Sequence, residues 1–313
     1  MGLRNTLLSF LDDCIARGEE TAVAHWLGLR ISRWSYARVA SCAFQFAREL
    51  EARNIGARDR VLFWGENSPE WIAAFYGCLL RGAIVVPLDL KSAPDFVKRV
   101  QQQVAAKLLL SDDPQPQIDV PRLSLASLGD AIATHSNQRY ATHAVNADDL
   151  VEIVFTSGTT AEPKGVCLTH RNLLTNLAPI EKEFKKYARW ERLFHPLRFL
   201  CLLPLSHVFG QLMGIFVPQF LGAEVYFRES YKPSQIILEI KKQRINVVIT
   251  VPRVLETLRE KLVTEVSTEQ LAAARERHFL QNWWAFRRIR RKFGLRFWAF
   301  ITGGATLEAD TES

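Results

Sequence analysis

The chain has 313 residues, 48% of them hydrophobic and 23% charged, an ordinary globular composition long enough for roughly two domain-sized units. There is no uninterrupted apolar run of about eighteen residues, so no helical membrane span is read, and the five scattered cysteines form no CxxC pair, which argues against a disulfide framework or a zinc site and for a reduced chain with small apolar thiols. The net charge of +7 leaves nucleic acid, an anionic membrane surface or an anionic substrate as possible partners.

The N-terminal MGLRNTLLSFLDDC has no small-residue cleavage site, and Asp12 and Asp13 interrupt its apolar patch. It reads as a helix start rather than a signal peptide. Gly2 and Thr6 fit a myristoylation pattern that is short and common, and helix start is preferred there too. TAVAHW and LRISRW, separated by Leu27-Gly28, predict a hairpin. Ser35 stands at an N-cap position before a helix over Tyr36 to Ala52, where Val39, Ala43, Phe46 and Leu50 share one face. RVLFWG predicts a buried strand, and Ser68-Pro69-Glu70 supplies a cap, an N1 proline and a first-turn acid for a helix to about Leu80. AIVVPLD, a helix over Ala93 to Ala106 and the strand KLLLSDD continue the alternation. Asp113 to Ala147 is polar and weakly periodic, a connection with one short helix.

The alternation resumes with LVEIVFT, and a helix is expected over Asn172 to about Tyr187. FLCLLP is a strand, Phe209 to Leu221 a helix and AEVYF a strand. Pro233 to Gln243 is a helix, INVVIT a strand and Pro252 to Val263 a helix. A long basic helix covers about Thr268 to Phe293, and RFWAFITGG is a last strand. Such alternation predicts an α/β fold of mostly parallel sheets covered by helices on both faces.

Between LVEIVFT and the next helix lies VFTSGTTAEPKGVCLTH. Residues Thr156 to Gly165 carry four hydroxyls and two glycines. Glycines let a backbone approach a ligand closely. Successive N–H groups in such a turn form an anion-binding concavity, to which hydroxyls and Lys164 add donors. A polyphosphate suits it; a flexible polar turn is the plain alternative. It is not a Walker A loop, because Pro163 precedes Lys164 and Gly165 follows it.

The run resembles the phosphate-loop signature of the AMP-forming adenylating superfamily, which includes acyl-CoA synthetases, luciferases and peptide-synthetase adenylation domains. Thr156, Ser157, Gly158, Thr159, Thr160, Pro163, Lys164 and Gly165 match, while Ala161 stands where the family usually has glycine. PLSHVFG resembles the family's second core motif, which carries a role near the acyl and thiol entry onto His207; the residues alone favour a histidine capping the helix near Phe209. ITGGATL resembles the stretch along the acyl and adenine sites, with Thr302 for serine and Gly303, Gly304 and Ala305 matching; by itself it is a tight turn after a strand. TVPRVLETL, NSPEW and GAIVVPLD also look like this family, so the resemblance covers nearly the whole chain.

The resemblance implies the large N-terminal domain of an acyl-CoA synthetase-like fold, residues 1–313 being a partial AMP-binding adenylation domain. The family's magnesium-binding glutamate, ribose-binding aspartate and C-terminal catalytic lysine have no counterpart before Ser313, so the chain is expected to be part of a longer enzyme, with little turnover alone, and its metal ligands stay unassigned. The implied reaction is attack of a carboxylate on the α-phosphorus of ATP, then displacement of AMP by a thiol, with ATP, Mg²⁺ and coenzyme A as cofactors. His207 is the candidate catalytic residue; Thr156, Ser157, Gly158, Thr159, Thr160, Lys164, Gly165, Gly303, Gly304 and Ala305 are the candidate nucleotide-binding residues.

QNWWAFRRIRRKFGLRFW mixes basic and aromatic residues without an acid. It suits either an anionic membrane interface over residues 283–298 or a charged helix with its aromatics in the core. With the resemblance it favours a long-chain fatty acid substrate and a cytoplasmic protein peripheral to the inner face of a membrane. An acyl carrier protein as acceptor, or a truncated binding module, are the alternatives. No nucleic-acid signature accompanies the basic stretch, so nucleic acid is not expected as a partner.

Overall fold

The computed structural model describes residues 4–28, 30–113, 118–156, 162–186, 194–228, 231–263 and 291–303. Within them lie two six-stranded sheets. The first has the order β6-β5-β3-β4-β7-β8, formed by Arg122–Leu123, Leu108–Leu110, Arg60–Phe63, Ile84–Pro87, Leu150–Thr156 and Lys164–Thr169. The second has the order β12-β11-β9-β10-β1-β2, formed by Ala299–Thr302, Val247–Thr250, Arg198–Cys201, Glu224–Phe227, Thr21–Leu27 and Arg30–Ser35. As predicted, the sheets are mostly parallel. The exceptions are the hairpins β1–β2 and β7–β8, which are antiparallel.

Alternation along the strands divides the core into layers. In the first sheet Val61 and Phe63 face the central cluster, while Leu62 and Trp64 face away and meet Val97, Val100 and Val104 of α4 (Pro94–Val104). In the second sheet Phe199, Val225 and Ile249 face the central cluster, while Leu200, Tyr226 and Val248 meet Ile236, Ile240, Val254 and Leu258 of the helices Pro233–Lys242 and Pro252–Val263. Both faces of each sheet are therefore covered, which is why the strands read as continuous apolar runs rather than as polar–apolar alternation. The central layer holds α1 (Leu8–Arg17), α2 (Tyr36–Ala52) and α3 (Pro69–Arg81), whose Trp71, Phe75 and Tyr76 are buried. A Cβ at Gly77 would lie 2.7 Å from the Phe46 ring, so this glycine lets α3 press onto α2.

The local signals hold. Ser35 and Ser68 each accept a hydrogen bond from the backbone N–H three residues on, Arg38 and Trp71. Gly28 takes φ +58° at the β1–β2 turn. Burial raises the Cys42 and Cys201 thiols to about 12 and those of Cys14 and Cys78 further, as expected of inert apolar thiols.

Two expectations change. The segment after the glycine-rich loop is a strand, not the direct approach to a helix: β8 runs back along β7, and α6 (His170–Lys185) begins only at its far end, with a capping box between Thr169 and Asn172. The helix expected over Phe209 to Leu221 is Val208–Gln211, a π-helical turn over Leu212–Phe216 and then Val217–Leu221. Most of the long basic helix lies outside the described residues, as do Ser157, Gly158, Thr159, Thr160, Gly304 and Ala305. No helix among the described residues is long and apolar enough to cross a membrane.

Candidate functional site

The parallel strands β1, β9 and β10 of the second sheet and β3, β4 and β5 of the first bring their C-terminal ends to one crevice, where open α/β sheets bind ligands. A cavity of about 690 Å³ opens there. Asn67, Asp89, Lys91, Ser206, Arg228 and Tyr231 are among its walls. The Lys91 ammonium lies 5.6 Å from the Tyr231 ring centroid, and the Arg228 guanidinium 4.8 Å from that of Trp26. The Ser206 Oγ is buried without a hydrogen-bond partner.

The turn Pro204–His207 is held from three sides. Asn67, in the NSPEW run, donates through Nδ2 to the Leu203 carbonyl at 2.8 Å and accepts from the Leu205 N–H at 2.8 Å. Its side-chain amide thus works as a one-residue bridge from the end of β3 to the end of β9. Gln211 donates to the Leu205 carbonyl at 3.0 Å. Gly210 lets the helix approach the Pro204 carbonyl, which a Cβ at that position would overlap.

His207 is the N-cap residue of Val208–Gln211, but its imidazole makes no capping hydrogen bond. Instead its Nε2 lies 3.5 Å from Oδ2 of Asp89, at the end of the GAIVVPLD run. The other oxygen of Asp89 accepts from the Lys91 N–H at 2.8 Å. The histidine is more than half exposed and faces Asp89, a carboxylate from the other sheet that lines the cavity.

Thr156 ends β7, with Lys164 as its pairing partner across the hairpin and Gly165 opposite Phe155. A Cβ on Gly165 would lie 2.8 Å from Ile153 and 3.0 Å from the Phe155 ring, so the glycine makes room for that ring to lie across the strand. Lys164 is exposed at the base of the loop. β8 lies between Lys164 and the N-terminus of α6, so Lys164 stands a six-residue strand away from that helix end.

Gly303 follows β12 and faces the other motif: a Cβ there would lie 2.8 Å from the Phe209 ring. Thr302 pairs in register with Thr250 of β11, and neither buried hydroxyl has a partner among the described residues. The structure therefore brings His207, Phe209, Thr250, Thr302 and Gly303 to one edge of the second sheet. Asn67, Glu152 and Gln211 were missed as site residues. Asn67 stood inside a quoted motif; the other two carried no local signal. Among the described residues no group of three or more His, Cys, Asp or Glu side chains could hold a metal.

The solved structures most like this fold include VinN in complex with L-aspartate (TM-score 0.75, 18% identity, 99% of this chain and 72% of that one). Apo MatB from Rhodopseudomonas palustris matches with TM-score 0.73 and 25% identity over 98% of this chain and 56% of that one. Among sequence relatives, a D-alanine–D-alanyl carrier protein ligase of Streptococcus pneumoniae (strain 70585) is 31% identical over 166 residues, 52% of this chain and 32% of the relative. The corresponding ligase of Bacillus cereus (strain ATCC 10987 / NRS 248) is 36% identical over 149 residues, 47% of this chain and 30% of the relative. The matched segments thus span about a third of those relatives' length. The AMP-binding enzyme family itself matches residues 12–313, nearly the whole chain, and the protein belongs to that family.

Proposed function

We propose that the chain supplies the phosphate loop and part of the acyl crevice of an adenylate-forming acid–thiol ligase. The observation that carries this is the sequence run Thr156 to Gly165, whose first residue pairs with Lys164 across the β7–β8 hairpin, in a chain of the AMP-binding enzyme family. The loop and Lys164 would hold the β- and γ-phosphates of ATP, and Mg²⁺ would neutralise charge between them. Gly303, with Thr302 and Phe209 around it, would border the acyl-adenylate. His207, across from Asp89 of the cavity wall, would face the incoming thiol. The test is carboxylate-dependent ATP–pyrophosphate exchange by the full-length enzyme. Lys164→Ala should lower exchange on the order of a hundredfold; exchange unaffected by this change would remove Lys164 from the reading, and no exchange with any carboxylate would remove the adenylation.

For the acyl group we favour a long-chain fatty acid, with coenzyme A as acceptor and peripheral contact with an anionic membrane. The support is the basic–aromatic stretch 283–298, described from Arg291 onward. There Leu295 is 99% exposed, and the half-exposed Trp298 packs edge-on against Phe194 at 5.2 Å. Phe293, by contrast, is buried against Phe297 and Phe300, so the aromatics of this stretch divide between core and surface. The relatives named as D-alanyl carrier protein ligases favour a second reading, in which a carrier protein is the acceptor. Pyrophosphate release with palmitate, octanoate and D-alanine, competition between coenzyme A and carrier protein, and binding to anionic vesicles separate the two. Preference for D-alanine and a carrier protein would overturn the fatty-acid reading.

A further inference from the structure

Glu152 lies in β7, between β4 and the edge strand β8, and is fully buried. A carboxyl in such a place needs both oxygens satisfied. One is: Gln211 Nε2 donates to Glu152 Oε2 at 2.8 Å. The other, Oε1, has no partner among the described residues, and neither has Oε1 of Gln211, which is also fully buried. The two protons of the Gln211 amide are already used, one on Glu152 and one on the Leu205 carbonyl at 3.0 Å. Two buried acceptors are therefore left without a donor among the described residues.

One proton resolves this. We propose that Glu152 is held as the neutral acid and forms a cyclic acid–amide pair with Gln211, which positions the His207 turn against the strand that carries the phosphate loop. In this pair Gln211 Nε2–H donates to Glu152 Oε2, and Glu152 Oε1–H donates to Gln211 Oε1. No group is oxidised or transferred; the proton comes from solvent on folding.

The surroundings agree. The residues set across from Glu152 are Val85 on β4 and Leu168 on β8, neither of them ionisable. Burial raises the Glu152 carboxyl to about 7 and the Gln211 bond lowers it; no charged side chain among the described residues is a cause of the shift. The connections give the pair its purpose. Glu152 lies on β7, the strand that ends at Thr156, the first residue of the phosphate-loop run. Gln211 donates through its side chain to Leu205 and through its backbone N–H to the His207 carbonyl at 3.0 Å. The pair thus ties the His207 turn to β7. Glu152 and Gln211 are positioning residues: they act through that turn and that strand.

The functional consequence rests on the adenylation reading above; the protonation state does not. The test uses the full-length enzyme and its Glu152→Gln and Glu152→Leu variants. Glutamine can form the same two-bond pair with Gln211 without a titrating proton, and leucine cannot form it. Infrared difference spectra between about pH 6 and pH 9 should show the C=O band of a protonated carboxyl in the wild type, lost at the higher pH and absent from both variants. Pyrophosphate exchange should fall in kcat more than rise in KM for Glu152→Leu, on the order of tenfold or more, and be rescued by Glu152→Gln with the high-pH decline abolished. Absence of the band from the wild type near pH 6, or a Glu152→Gln enzyme as impaired as Glu152→Leu, overturns the proposal. If the band is present but no protein shows exchange, the pair stands and the adenylation reading falls.

Discussion

His170 shows how one residue ties a terminus to the fold. It is buried at the start of α6, and its Nδ1 accepts from the Leu7 N–H at 3.1 Å, which requires a neutral ring. Burial lowers it to about 4, with Asp149 opposing the shift. The folded value lies below the usual one near 6.5, so the contribution to stability is present above about pH 6.5 and lost as pH falls toward 4. A difference of this size corresponds to roughly 3 kcal/mol. Denaturant midpoints between pH 7 and pH 4 should fall steeply for the native sequence and less so for His170→Asn. Glu152 has the opposite sign: its contribution is full below about 4.5 and declines as pH rises through about 7. Asn67 acts through two hydrogen bonds rather than a charge. Asn67→Leu leaves the Leu205 N–H unpartnered and the Leu203 carbonyl with only the weak Cys201 thiol donor at 3.7 Å, so a loss of about 1–3 kcal/mol in urea denaturation is expected. An unchanged midpoint would mean that water replaces both bonds.

At the scale of elements, β8 is the instructive case. Lys164 to Thr169 form an edge strand whose Val166 is half exposed, so no apolar face marks it in the sequence. The available sign was the capping box at Thr169 and Asn172, which starts α6 at His170 and leaves six residues between loop and helix to be accounted for. Ser35 and Ser68, by contrast, announced their helices correctly, because an N-cap is a contact within four residues. The motif glycines belong at this scale too. Gly210→Ala places a methyl group against the Pro204 carbonyl and should force the Val208–Gln211 helix away from β9. The expected result is a thermal midpoint several degrees lower, on the order of 1–3 kcal/mol of destabilisation. Gly129→Ala, with nothing near its Cβ, serves as the neutral control.

At the scale of the molecule, the two sheets are joined by a shared central layer and by a few polar clamps at their C-terminal ends. Arg4 is a further clamp, between helices: it reaches Asp13 in α1 at 2.6 Å and Glu181 in α6 at 3.0 Å, over the Phe10 ring at 3.9 Å. Removing it leaves Asp13 without its cation and Glu181 with Lys185 alone, both carboxylates being only slightly exposed. Arg4→Met should therefore destabilise by about 3 kcal/mol, measured by urea unfolding near neutral pH, while Arg139→Met, whose partner Asp12 is a surface carboxylate, should change it by less than about 1 kcal/mol. Equal effects would mean that the Arg4 network is screened as fully as a surface pair.

The sequence alone determined what depends on neighbours along the chain. The alternating strands and helices and their caps are set by short-range sterics and hydrogen bonding. Only the tertiary structure decided what stands across from what. It placed Asp89 before His207, Phe209 before Gly303 and Gln211 before Glu152, the last two residues being 59 apart in the chain. Such pairs form when parallel strands bring their ends together, and no local propensity encodes which loop will meet which. The protonation of Glu152 follows the same division: the residue type permits either state, and burial without a second donor selects one.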